Sequence, residues 1–493
     1  MFRGAGVMRQ AVQFYLGDDR IVLGDVSPTL TLLDWLRERG RTGTKEGCNE
    51  GDCGACTVLV VRLEQDRLVW RAVNACIQFV SMLDGAQVYT IEDLGTPDAP
   101  HPVQAAMIEQ HGSQCGFCTP GFVMSMAAYR KTPGATDDDA KIDDALAGNL
   151  CRCTGYAPIV RAMKQSMTAG PDRFDVQVQT ITERLVALND GETVQLSGPE
   201  GTLMVPGNVD VLAEVLEQNP DATIVAGATD VGLWVTKGMR QLRHVVAIGR
   251  VPELRRMERT AEGLTIGAAV TYQEAQSRIA ELLPDAGEMI RRLGSTQVRN
   301  SATVCGNIAN GSPIGDGPPM FIAAGATLHL RLGNERRSLP LESYFIAYGK
   351  QDRRPGEFVE GVTIPVPPQS AQFRAYKISK RFDQDISAVL GAFMMERNAE
   401  GVITSVRLAY GGMAATPKRA EQAEAALLGR VWDEEALEAA RAAIAQDFTP
   451  LTDMRATDWY RRTVAANLLT RFFEETTGGP QARLARTGGL AHV

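Results

Sequence analysis

The chain has 493 residues, more than one compact core accommodates, so about two to four domains are expected. Its 51 basic and 59 acidic residues give a formal charge of −8, which argues against a nucleic-acid partner because phosphate binding needs a basic face. No apolar run approaches a membrane span, and residues 1–10 carry Arg3 and Arg9 without an apolar core or cleavage site, so the expectation is a cytoplasmic chain with no membrane contact.

The first domain is expected over residues 9–93. Val12, Phe14 and Leu16 alternate with polar neighbours as a strand does, 57–62 and 67–71 read as further strands, and Leu32, Leu33 and Leu36 stand at helical spacing. Between helix and strand lies Lys45-Glu46-Gly47-Cys48-Asn49-Glu50-Gly51-Asp52-Cys53-Gly54-Ala55-Cys56, with Cys76 downstream. The spacing Cys48-x4-Cys53-x2-Cys56, then Cys76, is that of a plant-type [2Fe–2S] site. Gly47, Gly51 and Gly54 allow such a loop to turn its N–H groups inward towards the sulfides. Four-thiolate zinc is the alternative. Zinc usually takes two Cys-x2-Cys pairs, and this loop has one pair and an outlying cysteine, so the spacing favours iron.

A helical texture follows over 94–169. Residues 103–108, 121–130, 138–146 and 158–167 read as helices, the second with Thr119 as N-cap and Pro120 at the first helical position. Cys115-x2-Cys118 and Cys151-x-Cys153 precede two of these helices. A Cys-x-Cys pair suits a two-iron cluster better than tetrahedral zinc, with structural zinc again the alternative. Eight of the nine cysteines thus fall before residue 154, and such free thiolates need a reducing compartment. Only Cys305 stands alone.

The segments 111–121, His-Gly-Ser-Gln-Cys-Gly-Phe-Cys-Thr-Pro-Gly, and 148–156, Gly-Asn-Leu-Cys-Arg-Cys-Thr-Gly-Tyr, resemble the two signatures of the helical [2Fe–2S] domain of molybdenum hydroxylases. The loop around Cys48 resembles that family's N-terminal domain, a β-grasp fold like that of plant-type ferredoxins. The resemblance implies that Gln114 and Cys153 lie against the pterin edge of a molybdenum cofactor, Gln114 through hydrogen bonds and Cys153 as ligand and contact.

Residues 170–198 read as a linker crossing the surface, broken by Pro171 and the turn at Asn189-Asp190-Gly191, with a helical segment at 181–188. An α/β region is expected over 199–371. Residues 223–225 form a short β-branched strand running into Ala226-Gly227-Ala228-Thr229-Asp230-Val231-Gly232, small residues that let amides approach a pyrophosphate, although a plain turn is the commoner reading. There is no Gly-x-Gly-x-x-Gly and no P-loop. Together with residues 297–308 and 312–316, this stretch resembles the FAD domain of the same family, of the vanillyl-alcohol-oxidase-like type. The resemblance implies that Ile224, Val225, Ala226, Gly227, Ala228, Thr229, Asp230 and Val231, with Thr303, Val304, Cys305, Gly306 and Asn307, surround the FAD phosphates, and that Asp316 lies on the polar side of the flavin. Cys305 stands where relatives commonly have the first of two glycines, and a buried, unreactive thiol is expected there.

The last domain is expected over 372–475, with strands at 373–378 and 402–410, a polar turn at 380–386, and a helix at 434–446 capped by Asp433. It resembles the C-terminal part of the family's flavin subunit, and Lys377 lines up with a flavin-contacting lysine. Residues 476–493, rich in glycine and small residues, read as a disordered tail. The five histidines show no ligand pattern, His329 reading as a surface or capped residue, and no catalytic side chain is nominated.

The fold class is therefore α+β multidomain: a β-grasp [2Fe–2S] domain, a four-helix [2Fe–2S] domain, an FAD domain and an α+β C-terminal domain. By resemblance, a separate molybdopterin-binding large subunit oxidises the substrate, and this chain passes electrons from the helical-domain cluster to the N-terminal cluster, to FAD and to NAD⁺. Two heterodimers would pair as a heterotetramer. Both cluster domains fused to a flavin domain favour hydroxylation of xanthine or hypoxanthine. Hydroxylation of an aldehyde or nicotinate is the alternative.

Overall fold

A computed structural model describes residues 8–480. The chain divides into two compact units, one built from the described residues up to Pro252 with Gly294–Ala302, the other from Glu253–Leu293 and the described residues from Thr303 onwards.

The first unit opens with a mixed sheet in the order Asp19–Leu23, Val12–Leu16, Gln87–Tyr89, Thr57–Glu64, Arg67–Asn74. Alternation along Val12–Leu16 drives Val12, Phe14 and Leu16 inward, where Phe14 meets Trp35 edge-on at 5.3 Å. Trp35 belongs to the helix Leu32–Glu38, capped by Thr31, whose hydroxyl accepts from the Asp34 amide at 3.1 Å. One helix held in a five-stranded sheet is the β-grasp arrangement expected from the sequence.

Helices Pro102–Glu109, Thr119–Arg130, Asp139–Leu146 and Ala157–Met167 follow, packed on Phe122, Met124, Ile142, Ile159 and Met163. The second departs from expectation at its start: Cys118, not Thr119, is the N-cap residue. The Thr119 hydroxyl is drawn to Ser113 at 2.7 Å, which removes it from capping. His101 caps the first helix through Nδ1, and its Nε2 meets buried Asp172 at 3.1 Å.

The stretch read as a surface linker with a helical segment at 181–188 holds that helix as Val178–Leu188, and is packed further than expected, with the helix Arg173–Val176 before it and the strand Thr193–Gly198 after it. Phe174, Ile181 and Leu185 are buried, Phe174 between Tyr89 and Trp70 at 4.8 and 5.0 Å, so apolar contacts anchor the segment against the β-grasp sheet. The strand joins a second sheet ordered Met8–Arg9, Thr193–Gly198, Gly201–Val205, His244–Ala247, Thr223–Val225. Val194, Leu203, Val225 and Val245 share one apolar core with the β-grasp helix.

The second unit holds an antiparallel sheet ordered Met257–Arg259, Gly263–Gly267, Phe358–Pro365, Thr327–Leu332, Glu335–Pro340, and another ordered Gln372–Ile378, Val389–Arg397, Ile403–Gly411, Lys418–Arg419. His329 is half-buried, bridging Ser338 and Thr363 at 2.8 and 2.7 Å. Helices Glu434–Asp447 and Asp458–Thr476 cover the second sheet through Phe393, Tyr410, Trp432 and Phe472. Thr476, where the tail was expected to begin, is a buried helical residue whose hydroxyl accepts from Trp432 Nε1 at 2.9 Å; residues 481–493 lie outside the described residues. Among the described residues no helix is long and apolar enough to cross a membrane.

Candidate cluster and flavin sites

Each expected thiol quartet is assembled. Cys48 lies within hydrogen-bond reach of the Cys53 and Cys76 thiols, and Cys76 also of Cys56. Three of these ligands precede the strand Thr57–Glu64, and Cys76 sits in the 3-10 turn Ala75–Ile77 that ends the neighbouring strand. The loop is shaped for its contents. Cys48 Sγ accepts from the amides of Asp52 and Cys53 at 3.4 and 3.3 Å, and Gly51 and Gly54 have φ of +79° and +69°. Asn74 Nδ2 pins the Gly51 carbonyl at 2.7 Å, and the Lys237 ammonium caps that of Cys48.

In the second quartet Cys115 pairs with Cys153 and Cys118 with Cys151. The Cys151 amide donates to the Tyr156 hydroxyl at 3.0 Å, and its sulfur lies 3.2 Å from Thr154 Oγ1. Cys115 and Cys153 are exposed while Cys151 is buried, and Gln114 is exposed beside Cys115. Among the described residues no three His, Cys, Asp or Glu side chains are grouped as on a single ion; the second quartet meets in two pairs and the first in a chain of contacts through Cys48 and Cys76, and a two-iron cluster spreads its four thiolates over two irons. The all-sulfur donor sets and the inward amides fit [2Fe–2S] clusters.

The two ligand loops touch. The Leu150 amide, one residue before Cys151, donates to the Cys53 carbonyl at 3.0 Å, and Asn149 Nδ2 donates to the Gly54 carbonyl at 3.0 Å. A side chain at Gly54 would strike the Gly148 carbonyl, and one at Gly121 the Gly54 carbonyl.

Residues expected at the flavin occur in both units. In the first, the strand Thr223–Val225 ends in a turn where Ala228 has φ +57°, and a Cβ on Gly227 would strike the Ser301 carbonyl. Gly227 and Ala228 are buried, and no carbonyl among the described residues takes their amides, which leaves donors suited to a phosphate. The helix Val231–Thr236 follows, its Gly232 lying against Ile77, the residue after Cys76.

In the second unit Thr303 caps the helix Val304–Asn310, its hydroxyl accepting from the Gly306 amide at 3.0 Å. The Asn307 carbonyl oxygen Oδ1 accepts from the Tyr272 hydroxyl at 2.9 Å, which orients the amide. Cys305 is buried with its sulfur 3.6 Å from the Ile266 carbonyl, and burial pushes the thiol up to about 12. It points into the core, as expected for an unreactive thiol. Asp316 and Lys377 form a buried ion pair at 2.5 Å, completed by Ser387, which accepts from Lys377 at 3.0 Å and donates to Asp316 at 2.6 Å. Ser387 and Lys237 carried no recognisable signal in sequence, and Asn149 lay within the 148–156 signature without a role of its own.

Four family profiles match: "2Fe-2S iron-sulfur cluster binding domain" over 19–81, "[2Fe-2S] binding domain" over 90–164, "FAD binding domain in molybdopterin dehydrogenase" over 199–367, and "CO dehydrogenase flavoprotein C-terminal domain" over 374–476. A xanthine dehydrogenase of Emericella nidulans is 32% identical across 96% of this chain and 39% of its own length. A xanthine dehydrogenase/oxidase of Rattus norvegicus is 30% identical across 93% of this chain and 38% of its own. The chain therefore spans about two fifths of the length of these relatives. A solved chain of carbon monoxide dehydrogenase from Hydrogenophaga pseudoflava superposes with a TM-score of 0.52 at 29% identity, covering 55% of this chain and 94% of that one. With both thiol quartets inside matched [2Fe–2S] domains and an FAD-binding domain behind them, this chain belongs to the molybdenum hydroxylase family as its iron–sulfur and flavin part.

Proposed function

We propose that this chain is the electron-relay subunit of a xanthine dehydrogenase, working with a separate molybdopterin-binding polypeptide and reducing NAD⁺, in an assembly of two heterodimers. The observation that carries the relay is the pairing of two thiol quartets whose ligand loops are joined by the hydrogen bond from Leu150 to Cys53. When bound, the clusters supply one-electron steps and the flavin supplies the two-electron step that a nicotinamide requires.

The residues divide the work. Cys48, Cys53, Cys56 and Cys76 hold one cluster, Cys115, Cys118, Cys151 and Cys153 the other. The amides of Asp52 and Cys53 offset negative charge on Cys48 Sγ. In the first unit the turn 224–231, and in the second the residues 303–307 and the ion pair Asp316–Lys377, are each assigned to FAD on the strength of the family resemblance. Gln114, exposed beside Cys115, faces the partner's pterin. Purine specificity is supported by the identity with two enzymes named for xanthine, which extends over nearly the whole chain.

The solved carbon monoxide dehydrogenase chain, at 29% identity, favours a second reading in which the same relay serves a hydroxylase of a different substrate. The chain purified with its natural partner and assayed with NAD⁺ on xanthine, hypoxanthine, an aldehyde, nicotinate and carbon monoxide separates the two. Turnover of xanthine supports the purine assignment, and turnover of another substrate alone overturns it.

A further inference from the structure

Gln297 lies in the segment Gly294–Ala302, which belongs to the first unit although the residues on either side of it in sequence belong to the second. It is fully buried, and its Nε2 lies 2.9 Å from Asn149 Oδ1, 3.0 Å from Ser125 Oγ and 3.3 Å from Thr57 Oγ1. These acceptors come from both cluster domains. Thr57 directly follows Cys56 and donates to the Gly54 carbonyl at 2.6 Å; Asn149 stands two residues before Cys151 and donates to that same carbonyl. Ser125, on the helix that follows Cys118, donates to Asn149 Oδ1 at 2.6 Å. Gly148 leaves the space that the Gln297 carboxamide fills, since a Cβ there would collide with Oε1.

We infer that Gln297 is a positioning residue that holds the two cluster-ligand loops in register, through Asn149 and Thr57, and so fixes the Leu150 to Cys53 hydrogen bond between them. One carboxamide inserted at the seam of two domains ties them together, because its Nε2 adds a shared donor to a buried hydrogen-bond network drawn from both. A methionine of equal length fills the volume but donates nothing, leaving Asn149, Ser125 and Thr57 to rearrange and the loops free to slide. The role rests on the two-cluster reading and extends it to how the clusters are coupled.

The test uses the full chain loaded with iron and FAD, comparing Gln297→Met with the unsubstituted protein. Two readouts are needed: the magnetic splitting between the two reduced clusters in electron paramagnetic resonance, and hydrogen exchange at the Leu150 amide. Gln297→Met is expected to keep both cluster signals and the full iron content, to lose or narrow the splitting, and to speed Leu150 exchange about tenfold. Ser125→Ala, the milder change, is expected to move both readouts in the same direction by less, and it decides the matter if Gln297→Met fails to fold. A fall in melting temperature with splitting and exchange unchanged overturns the inference. Absence of two cluster signals from the unsubstituted chain would instead defeat the two-cluster reading.

Discussion

Leu150 and Cys53 are joined by a 3.0 Å hydrogen bond between backbone groups almost a hundred residues apart, so the loops that hold the two thiol quartets form one continuous piece. Neither loop is placed by its own domain alone. Gly54, directly after Cys53, makes the approach possible because its φ of +69° and its missing side chain let Gly148 and Asn149 close on it.

Gly54→Ala therefore pays twice, in backbone strain of about 1–2 kcal/mol for a left-handed residue and in collision with the Gly148 carbonyl. Gly40→Ala isolates the first term, since Gly40 has φ +77° and nothing near its missing Cβ. Iron content and thermal melting of the two variants check the difference: Gly54→Ala loses iron and melts well below Gly40→Ala. Equal behaviour would show that the loops do not need the close approach.

The ion pair of Lys377 with Asp316 is buried, so removing one partner strands the other charge. Lys377→Met should destabilise the fold by about 3–5 kcal/mol and lower FAD retention, whereas Lys377→Met with Asp316→Asn should recover much of the stability. A double-mutant cycle by denaturant unfolding, with FAD counted per chain, provides the check.

Asp172 gives a pH dependence of known sign. Burial acts to raise its carboxyl, but hydrogen bonds from His101 and Lys131 and the Lys131 charge win and hold it well below the usual carboxylate range. A carboxylate depressed in the folded state contributes stability that is present above its unfolded value of about 3.9 and is lost as pH falls towards the folded value. Asp172→Asn is thus expected to lower the melting temperature at pH 7 and to close the gap with the unsubstituted protein as pH drops below about 4. A gap that stays constant with pH would contradict the assignment.

Lys237 places a positive charge on the Cys48 carbonyl, and that charge favours the reduced form of whatever the quartet holds. The side chain is almost half exposed, so its effect is modest. Lys237→Gln should lower the midpoint potential of that cluster by about 10–40 mV, equivalent to about 0.2–1 kcal/mol for one electron, in a titration followed by electron paramagnetic resonance.

The ligands were legible because cluster chemistry fixes thiol spacing within short loops, and Asp316 and Lys377 because their segments carry a family pattern. What holds the loops was not legible. Gln297 meets Asn149 across 148 residues and Thr57 across 240, and no local period records such a meeting. The stretch 170–198 read as a connector because Pro171 and the turn at Asn189-Asp190-Gly191 bracket it, and only the aromatic pocket of Trp70 and Tyr89 gives Phe174 a reason to be buried. Thr119 had the composition of a cap, but Ser113 competes for its hydroxyl.

Two separate quartets of cysteine holding iron, on the same chain as a flavin domain, predict a definite cofactor content. Counting iron, acid-labile sulfide, zinc and FAD in the fully loaded protein tests it most directly. About four irons, about four sulfides and about one FAD per chain, with visible absorbance that bleaches on reduction, are the expected result. A colourless protein carrying zinc in place of iron would contradict it.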